Sequence, residues 1–231
     1  MKRINKSETE PQALQNYRID SNGINYTWAS FQNPYKRDYR EYLLKEQGYI
    51  CAYCMQSISL TTIKIEHLNP RHNCTEEEKL NNHNMVAVCL GITDAEIHCD
   101  TKRGNLKPSQ QFLSIFPTQS EPNCEELTVF SGGEIESINN DENIFDDLNN
   151  KLNLNCKSLV RKRNATEEGF IEGLILKASE NNFEWTTDLL NEELNKILQV
   201  NINFDDRKFN EFCLIEANLL RRKIELLENV G

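Results

Sequence analysis

The residues able to bind metals or to transfer protons are concentrated in one quarter of the chain, between Cys51 and Lys107. This stretch contains all four histidines and five of the eight cysteines. Thiolate and imidazole are the usual zinc ligands, and imidazole is also the most frequent general base. We therefore expect the chemistry of the protein to lie in this stretch.

Two pairs of cysteines predict a structural zinc site. Cys51 and Cys54 form a Cys-x-x-Cys pair, and Cys89 and Cys99 form a more widely spaced second pair. Redox proteins also use Cys-x-x-Cys, but there the pair opens a helix in a βαβ unit, and this sequence contains no sign of one. Four thiolates make a closed tetrahedral zinc site. His98 is an alternative to Cys99 as the fourth ligand.

Two short strands and a helical turn are predicted between and after these cysteines. Residues 59–65 (SLTTIKI) alternate and are rich in β-branched side chains, and residues 85–89 (MVAVC) form a second apolar run. A helical turn is predicted from Asp100 onward. Residues 71–83 and 90–98 are predicted to be loops.

Four polar residues mark the ends of these elements. Glu66 and His67 end the first strand, Asn84 precedes the second, and Asp100 opens the helical turn. In a strand–strand–helix unit the end of the first strand faces the start of the helix. Glu66 and Asp100 are therefore expected to share one divalent cation through oxygen ligands, which suit Mg²⁺. Neighbouring strand residues point to opposite faces, so Glu66 and His67 both reach the site only because the strand ends there.

The order of these motifs resembles that of the HNH (ββα-metal) endonucleases. The pattern of that family is matched in order by CAYC, EHLNP, NMVAVC and CDTK, over about 57 residues. The variants CAYC, IEHLNP and HCDTKRG are similar to the PtuB branch, the HNH partner of an ABC-type ATPase in Septu anti-phage defence.

The resemblance implies an α+β fold with a ββα-metal core and a role for each motif residue. His67 would be the general base, oriented by Asn84, while Glu66 and Asp100 would hold a catalytic Mg²⁺ or Mn²⁺. The zinc would be structural. The resemblance also implies that the protein cleaves DNA or RNA as the nuclease of a defence complex.

Two departures from the family pattern bear on both metal sites. Asp100 stands where the pattern has His or Asn, which gives the catalytic site a second carboxylate. An insertion of eight residues together with His98 separates Cys89 from Cys99 and leaves the fourth zinc ligand open.

Basic residues near these motifs are candidates for contacts with substrate phosphates. Lys102, Arg103 and Lys107 form a small cluster after Asp100, and Arg71 lies in the loop after His67. The predicted helix over residues 36–47 also carries several basic residues, but such a face is more often simply solvated.

The expected partners are nucleic acid and an ABC-type ATPase of the PtuA kind. Similar effector pairs accompany some retrons, so a retron reverse transcriptase with its RNA and DNA is a further expected partner. No GxxxxGK[ST] motif occurs, so the chain itself is not expected to bind ATP in that way. A zinc-stabilised scaffold that docks a partner without cleaving is the alternative hypothesis. The pairing of Glu66 with His67 favours the nuclease, because a scaffold has no use for that pair.

The motifs, the family resemblance and the distribution of charge predict three parts of the chain. Residues 1–50 are predicted to be an arm followed by a helix, residues 51–110 the HNH core, and residues 111–231 a partner-docking region. The last part is predicted to contain a hairpin at 127–138 and helices at 142–152, 156–180, 184–200 and 206–228. Residues 111–231 contain 12 Lys and Arg against 23 Asp and Glu, a net charge of −11, whereas residues 1–110 carry +1. An acidic surface suits a protein partner better than a phosphate backbone.

The overall composition, 38% hydrophobic and 27% charged, is that of a globular domain. No run of 18 apolar residues is present, and the basic N-terminus is not followed by an apolar stretch of a secretory signal. We therefore expect a cytoplasmic protein that does not span a membrane, in which cysteines are thiols or metal ligands.

Overall fold

The computed structural model of the chain describes residues 1–22, 24–181, 183–199 and 202–229. Its architecture is α+β, with small antiparallel sheets among helices. The helices are α1 (Gln12–Asp20), α2 (Tyr35–Glu46), α3 (Glu76–Lys79), α4 (Cys99–Gly104), α5 (Glu142–Asp146), α6 (Lys157–Asn181), α7 (Thr187–Ile197) and α8 (Cys213–Glu228). The strands are β1 (Lys64–His67), β2 (Met85–Val88), β3 (Ile92–Thr93), β4 (Glu96–Ile97), β5 (Thr128–Ser131) and β6 (Glu134–Ser137), paired β1–β2, β3–β4 and β5–β6.

The β1–β2 hairpin is the element around which the motif residues are arranged. In its register Glu66 lies opposite Val86 and His67 opposite Met85, and all four residues of β2 are buried. The predicted first strand began too early, because residues 59–62 form a turn in which Thr62 N donates to Ser59 O. The β-branched residues of that segment therefore belong to a turn and not to a strand.

Helix α2 is confirmed and is fastened to β2 by the residue that follows it. It buries Tyr39, Leu43 and Leu44. The Gln47 side chain then donates to Ala87 O (2.8 Å) and accepts from Ala87 N (2.6 Å), which satisfies the free edge of β2.

Three segments predicted to lack helix or strand contain them. The N-terminal arm includes α1, which buries Ala13, Leu14 and Tyr17. Residues 71–83 include α3, which begins with a capping box in which Thr75 and Glu78 bond reciprocally. Residues 90–98 contain the β3–β4 hairpin. Helix α3 and the strands β3 and β4 are too short for a periodic pattern to indicate them.

The C-terminal region follows the prediction more closely. The β5–β6 hairpin turns at Gly132 and Gly133, both at positive φ. Helix α8 was predicted to begin at residue 206 but begins at Cys213, because Phe212 just before it adopts a left-handed φ of 56°. The main hydrophobic core contains residues from all three parts of the chain, from Met1 to Ile215.

None of the helices that the structure describes combines the length and the apolar character needed to cross a membrane.

Candidate metal centre and candidate active site

Four cysteine sulfurs form a buried cluster that is positioned to bind a metal ion. The Sγ atoms of Cys51, Cys54, Cys89 and Cys99 all lie within 4.8 Å of one another. Cys51 Sγ is 4.0 Å from Cys99 Sγ, and Cys54 Sγ is 3.8 Å from Cys89 Sγ. Tetrahedral zinc with bonds of about 2.3 Å places its sulfurs about 3.8 Å apart, so this donor set fits the ion.

A tight turn presents the first two thiols. Cys51 N donates to Gln56 O (2.9 Å), and Met55 N donates back to Cys51 O (3.0 Å), with Met55 at a φ of 64°. Ala52 N donates to Ala87 O (3.0 Å), which ties this turn to β2. Because Cys89 follows β2 directly, the strand that holds the turn also supplies the third thiol.

The fourth sulfur of the cluster is that of Cys99, and the imidazole of His98 is not a member of the cluster. His98 is fully buried, and its Nδ1 lies 3.2 Å from Cys99 Sγ while Nε2 lies 2.9 Å from Thr93 Oγ1. The imidazole therefore contacts a cluster sulfur from outside the group. The inserted residues form the β3–β4 hairpin, which carries Thr93 and brings His98 into this position.

The acid–base state of the cluster favours a cation. Burial raises the pKa of the Cys54 and Cys99 thiols well above the usual value. Hydrogen bonds from Cys51, Cys54 and Cys99 lower the pKa of Cys89. Negative charge is thus stabilised on one sulfur by donors that a bound metal ion would replace, because metal binding releases thiol protons.

Glu66 lies opposite α4 and forms an ion pair with a residue that was expected to contact phosphate. Arg103 Nη1 donates to Glu66 Oε1 at 2.5 Å, and its other donors reach the carbonyls of His67, Leu68 and Gln111 at 2.6 to 2.9 Å. Arg103 is only 3% exposed. The predicted phosphate contact is therefore not available to Arg103, because its guanidinium is enclosed and already bonded.

Glu66 and Asp100 are close enough for each carboxyl to influence the pKa of the other. Burial and the neighbouring charge of Asp100 raise the pKa of Glu66 to about 8, although Arg103 acts in the opposite direction. Burial alone would raise the pKa of Asp100, but hydrogen bonds from Glu66 and Lys64 lower it. Lys64 Nζ is 2.5 Å from Asp100 Oδ2. Each carboxylate thus has a protein cation as partner.

Among the residues that the structure describes, no third acidic, cysteine or histidine ligand joins this pair. Within the described ranges, the four-cysteine cluster is the only group of three or more such residues placed to hold a metal ion.

His67 occupies the other face of β1 and is held as a neutral imidazole. Nε2 lies 2.8 Å from Lys79 O, so Nε2 carries the proton and Nδ1 carries the lone pair. The ring is 3% exposed and packs edge-on against Trp28 at 4.5 Å. Burial lowers the pKa of His67 to about 4, despite the bond to Lys79. Among the described residues, the His67 ring makes no contact with the carboxylate of Glu66 or of Asp100.

Asn84 positions the segment that holds His67 without touching the imidazole. Its Oδ1 accepts from Asn69 N (2.7 Å), and its Nδ2 donates to Glu78 O (3.1 Å), next to the carbonyl of Lys79. Asn84 thereby links the end of β1 to the end of α3. These contacts are with backbone atoms, and an orienting role for Asn84 stays a prediction.

The remaining predicted residues are exposed or partly exposed. Arg71 and Lys107 are exposed, and Lys102 is half-buried. His72 and His83 are exposed. Cys74, Cys124, Cys156 and Cys213 are free thiols outside the four-cysteine cluster.

The sequence analysis missed Lys64 and Trp28. Lys64 could have been found, because it alternates with Glu66 along β1 and so shares its face. Trp28 gave no local signal, since it reaches His67 from the N-terminal arm.

Comparison of the chain with protein-family models, with curated proteins and with solved structures gave no match.

Proposed function

We propose that this protein is a metal-dependent endonuclease of the HNH type that hydrolyses phosphodiester bonds in nucleic acid. The observation that supports this most strongly is the state of His67. Its Nε2 donates to Lys79 O, and no hydrogen bond to its Nδ1 is found among the described residues. Glu66 precedes His67 on β1. A buried histidine that a backbone carbonyl holds in one tautomer has a lone pair on its other nitrogen, which suits a general base.

In this proposal His67 Nδ1 accepts the proton of the water that attacks phosphorus. The bond from the water oxygen to phosphorus forms, and the bond from phosphorus to the 3′ oxygen breaks. Burial keeps His67 neutral at pH 7, so nearly every molecule has the lone pair available. Arg103 fixes the position of Glu66 by donating from Nη1 to Oε1.

The cofactors proposed are zinc at the four cysteines and Mg²⁺ or Mn²⁺ at the carboxylates. Glu66 and Asp100 would hold the catalytic cation, which stabilises charge developing on the phosphate. Arg103 is fixed by backbone carbonyls, but the Lys64 side chain is 32% exposed and can turn away from Asp100. The carboxylates therefore fit a divalent cation that displaces Lys64.

The test is a cleavage assay on plasmid DNA and total RNA with Mg²⁺ or Mn²⁺. Wild type is compared with His67→Ala and with the matched control His83→Ala, which removes an exposed imidazole. Cutting by wild type and by His83→Ala, but not by His67→Ala, supports the proposal. Equal cutting by all three, or no cutting while zinc is bound, contradicts it.

A second candidate role is docking of a partner, and one surface favours it. Helices α6, α7 and α8 enclose an open groove of about 910 Å³. Its apolar lining includes Ile175 and Leu226, which are 64% and 62% exposed. Arg222 and Lys223 line it against the single acid Glu184, within a region whose net charge is −11. This charge suits an amphipathic helix with acidic residues beside its apolar face.

We propose that this amphipathic helix belongs to the ABC-type ATPase that the family resemblance implies. Ile175→Glu and Leu226→Glu are expected to abolish binding of the purified ATPase. Ile19→Glu, at an apolar residue 68% exposed on α1, is the control and should bind normally. Undiminished binding by the groove variants would place the partner elsewhere.

A further inference from the structure

An aromatic side chain next to His67 collects basic residues from two other segments. The Trp28 ring centre is 4.5 Å from that of His67. Lys36 Nζ lies 4.8 Å from the centre of the Trp28 ring, and the Arg71 guanidinium carbon lies 6.0 Å from it. These are distances at which cations are attracted to an indole. Trp28 therefore places two cations around the imidazole proposed to activate water.

Arg40 completes this group from the next turn of α2. Lys36 and Arg40 are four residues apart on the helix, so they share a face and repel each other. The pKa of Lys36 lies below its usual value, first because of burial and then because of the charges of Arg40 and Arg71. Arg40 Nε is buried and has no hydrogen-bond partner among the described residues.

The basic residues of α2 thus divide into two kinds. Arg37 pairs with Glu41, and Lys45 pairs with Asp205. For Lys36, Arg40 and Arg71, by contrast, no carboxylate of the described part of the chain lies within 4.0 Å. The nearest acid to Trp28 is Glu76, which accepts from its backbone N–H and is paired with Lys79.

We propose that Lys36, Arg40 and Arg71, assembled on Trp28, form a phosphate clamp for the nucleic-acid backbone beside the bond that is cut. This inference rests on the proposed function of His67. The clamp is the surface that holds the nucleic-acid substrate of that site. Three unpaired cations in one place are unfavourable unless an anion joins them, and a phosphodiester supplies that charge. The clamp replaces the cluster expected after Asp100, in which Arg103 is enclosed.

The clamp recognises phosphate and not bases. Cations that contact phosphates release counterions, so affinity falls steeply with salt, with a slope of about 0.7 to 0.9 per phosphate. The substrate class is therefore polynucleotide without sequence preference at these positions. Short oligonucleotides of DNA and RNA are expected to bind through the same residues.

The experiment compares two double variants of the same helix. K36Q/R40Q removes two of the three clamp cations, and R37Q/K45Q removes the same residue types from the paired positions of α2. Binding of labelled single- and double-stranded DNA and RNA is measured by fluorescence anisotropy over a salt series, in the His67→Ala background. K36Q/R40Q should bind about tenfold more weakly at low salt and lose about 1.4 to 1.8 from the salt slope. R37Q/K45Q should match the parent, and thermal unfolding verifies that both variants are folded.

Two further variants test the assembly itself. Arg71→Gln should weaken binding several-fold, and Trp28→Leu should weaken it while leaving every charge in place. Identical affinities and salt slopes for K36Q/R40Q and R37Q/K45Q overturn the clamp.

Cleavage by the otherwise wild-type chain separates the clamp from the nuclease. If the parent cuts and K36Q/R40Q cuts with the same KM and salt dependence, the clamp is wrong and the nuclease stands. If the parent binds through the clamp but never cuts, the clamp stands and the nuclease is wrong. If the parent neither binds nor cuts, both are overturned.

Discussion

Arg103 of α4 and Glu66 of β1 form a buried ion pair, with Arg103 Nη1 at 2.5 Å from Glu66 Oε1. Their side chains are 3% and 12% exposed, so water stabilises neither charge well. The pair joins the helix that carries Asp100 to the strand that carries His67. The relative placement of the proposed catalytic groups therefore depends on it.

We expect Arg103→Met to destabilise the protein by about 3 to 5 kcal/mol, because it removes the donor to Glu66 and to three backbone carbonyls in a buried site. Arg103→Met combined with Glu66→Gln should cost less than the sum of the two single changes. Chemical denaturation of the four proteins measures this coupling. Strict additivity would show that the two side chains do not interact in solution. Lys107→Met, at an exposed residue nearby, is the control and should be close to neutral.

A second prediction concerns competition at Asp100. Lys64 Nζ holds Asp100 Oδ2 at 2.5 Å, and a divalent cation must take its place. Lys64→Met should therefore tighten Mn²⁺ binding about fivefold, the equivalent of about 1 kcal/mol for a partly exposed ion pair. Lys64→Arg keeps the cation and should bind Mn²⁺ like wild type. Titration followed by electron paramagnetic resonance reports the affinity without requiring activity. Unchanged affinity in Lys64→Met would remove Asp100 from the proposed metal site.

The four-cysteine cluster predicts one zinc ion per chain and different roles for the adjacent residues His98 and Cys99. Cys99→Ser should lose the metal and much of the folded structure, since a structural zinc ion contributes folding free energy. His98→Ala keeps all four thiols, so it should keep the metal but bind it about 10- to 100-fold more weakly. Elemental analysis and chelator competition measure both effects. Cys74→Ser, outside the cluster, should behave as wild type. Loss of zinc from His98→Ala would make the imidazole a ligand.

The sequence contained enough information for the cluster because ligand spacing is a local property. The Cys-x-x-Cys turn and the strand that precedes Cys89 each specify a position, and the only open point was the choice between His98 and Cys99. Arg103 shows what sequence cannot supply. It looked like a surface residue of a basic cluster, yet its partners are Glu66 and the carbonyls of His67, Leu68 and Gln111. Burial set by distant segments leaves no periodic signal.

The same limit applies to the elements. Helix α2 was predicted within one residue at each end, because its apolar spacing extends over several turns. Helix α3 is one turn long and is held by its capping box, so nothing in its sequence repeats. Yet its last residue, Lys79, provides the carbonyl that holds His67.

Asn84 leads to a prediction about positioning. It holds Asn69 N and Glu78 O, beside the carbonyl that orients His67. Asn84→Ala should lower kcat about tenfold with little change in KM, because the imidazole loses its orientation while the clamp stays intact. The free energy of unfolding should fall by about 1 to 2 kcal/mol. Asn73→Ala, on the exposed turn nearby, is the control. A change confined to stability, with kcat preserved, would contradict the positioning role.

The last prediction concerns the attachment of the N-terminal arm, which carries Trp28. Lys6 Nζ lies 2.6 Å from Glu46 Oε2, and their side chains are 4% and 0% exposed. Lys6 also donates to Met85 O, the first residue of β2. Lys6→Met leaves Glu46 buried with only the Tyr42 hydroxyl as donor, so we expect a loss of about 3 to 5 kcal/mol.

Lys6→Met combined with Glu46→Leu should recover much of that loss, since it leaves no unpaired charge. Denaturant unfolding measures each variant. Lys45→Met, whose partner Asp205 is exposed, serves as the control and should cost less than about 1 kcal/mol. Because the arm places Trp28 over His67, Lys6→Met should also weaken nucleic-acid binding at temperatures where the protein remains folded. Normal binding by a folded Lys6→Met variant would show that the arm holds its position without this ion pair.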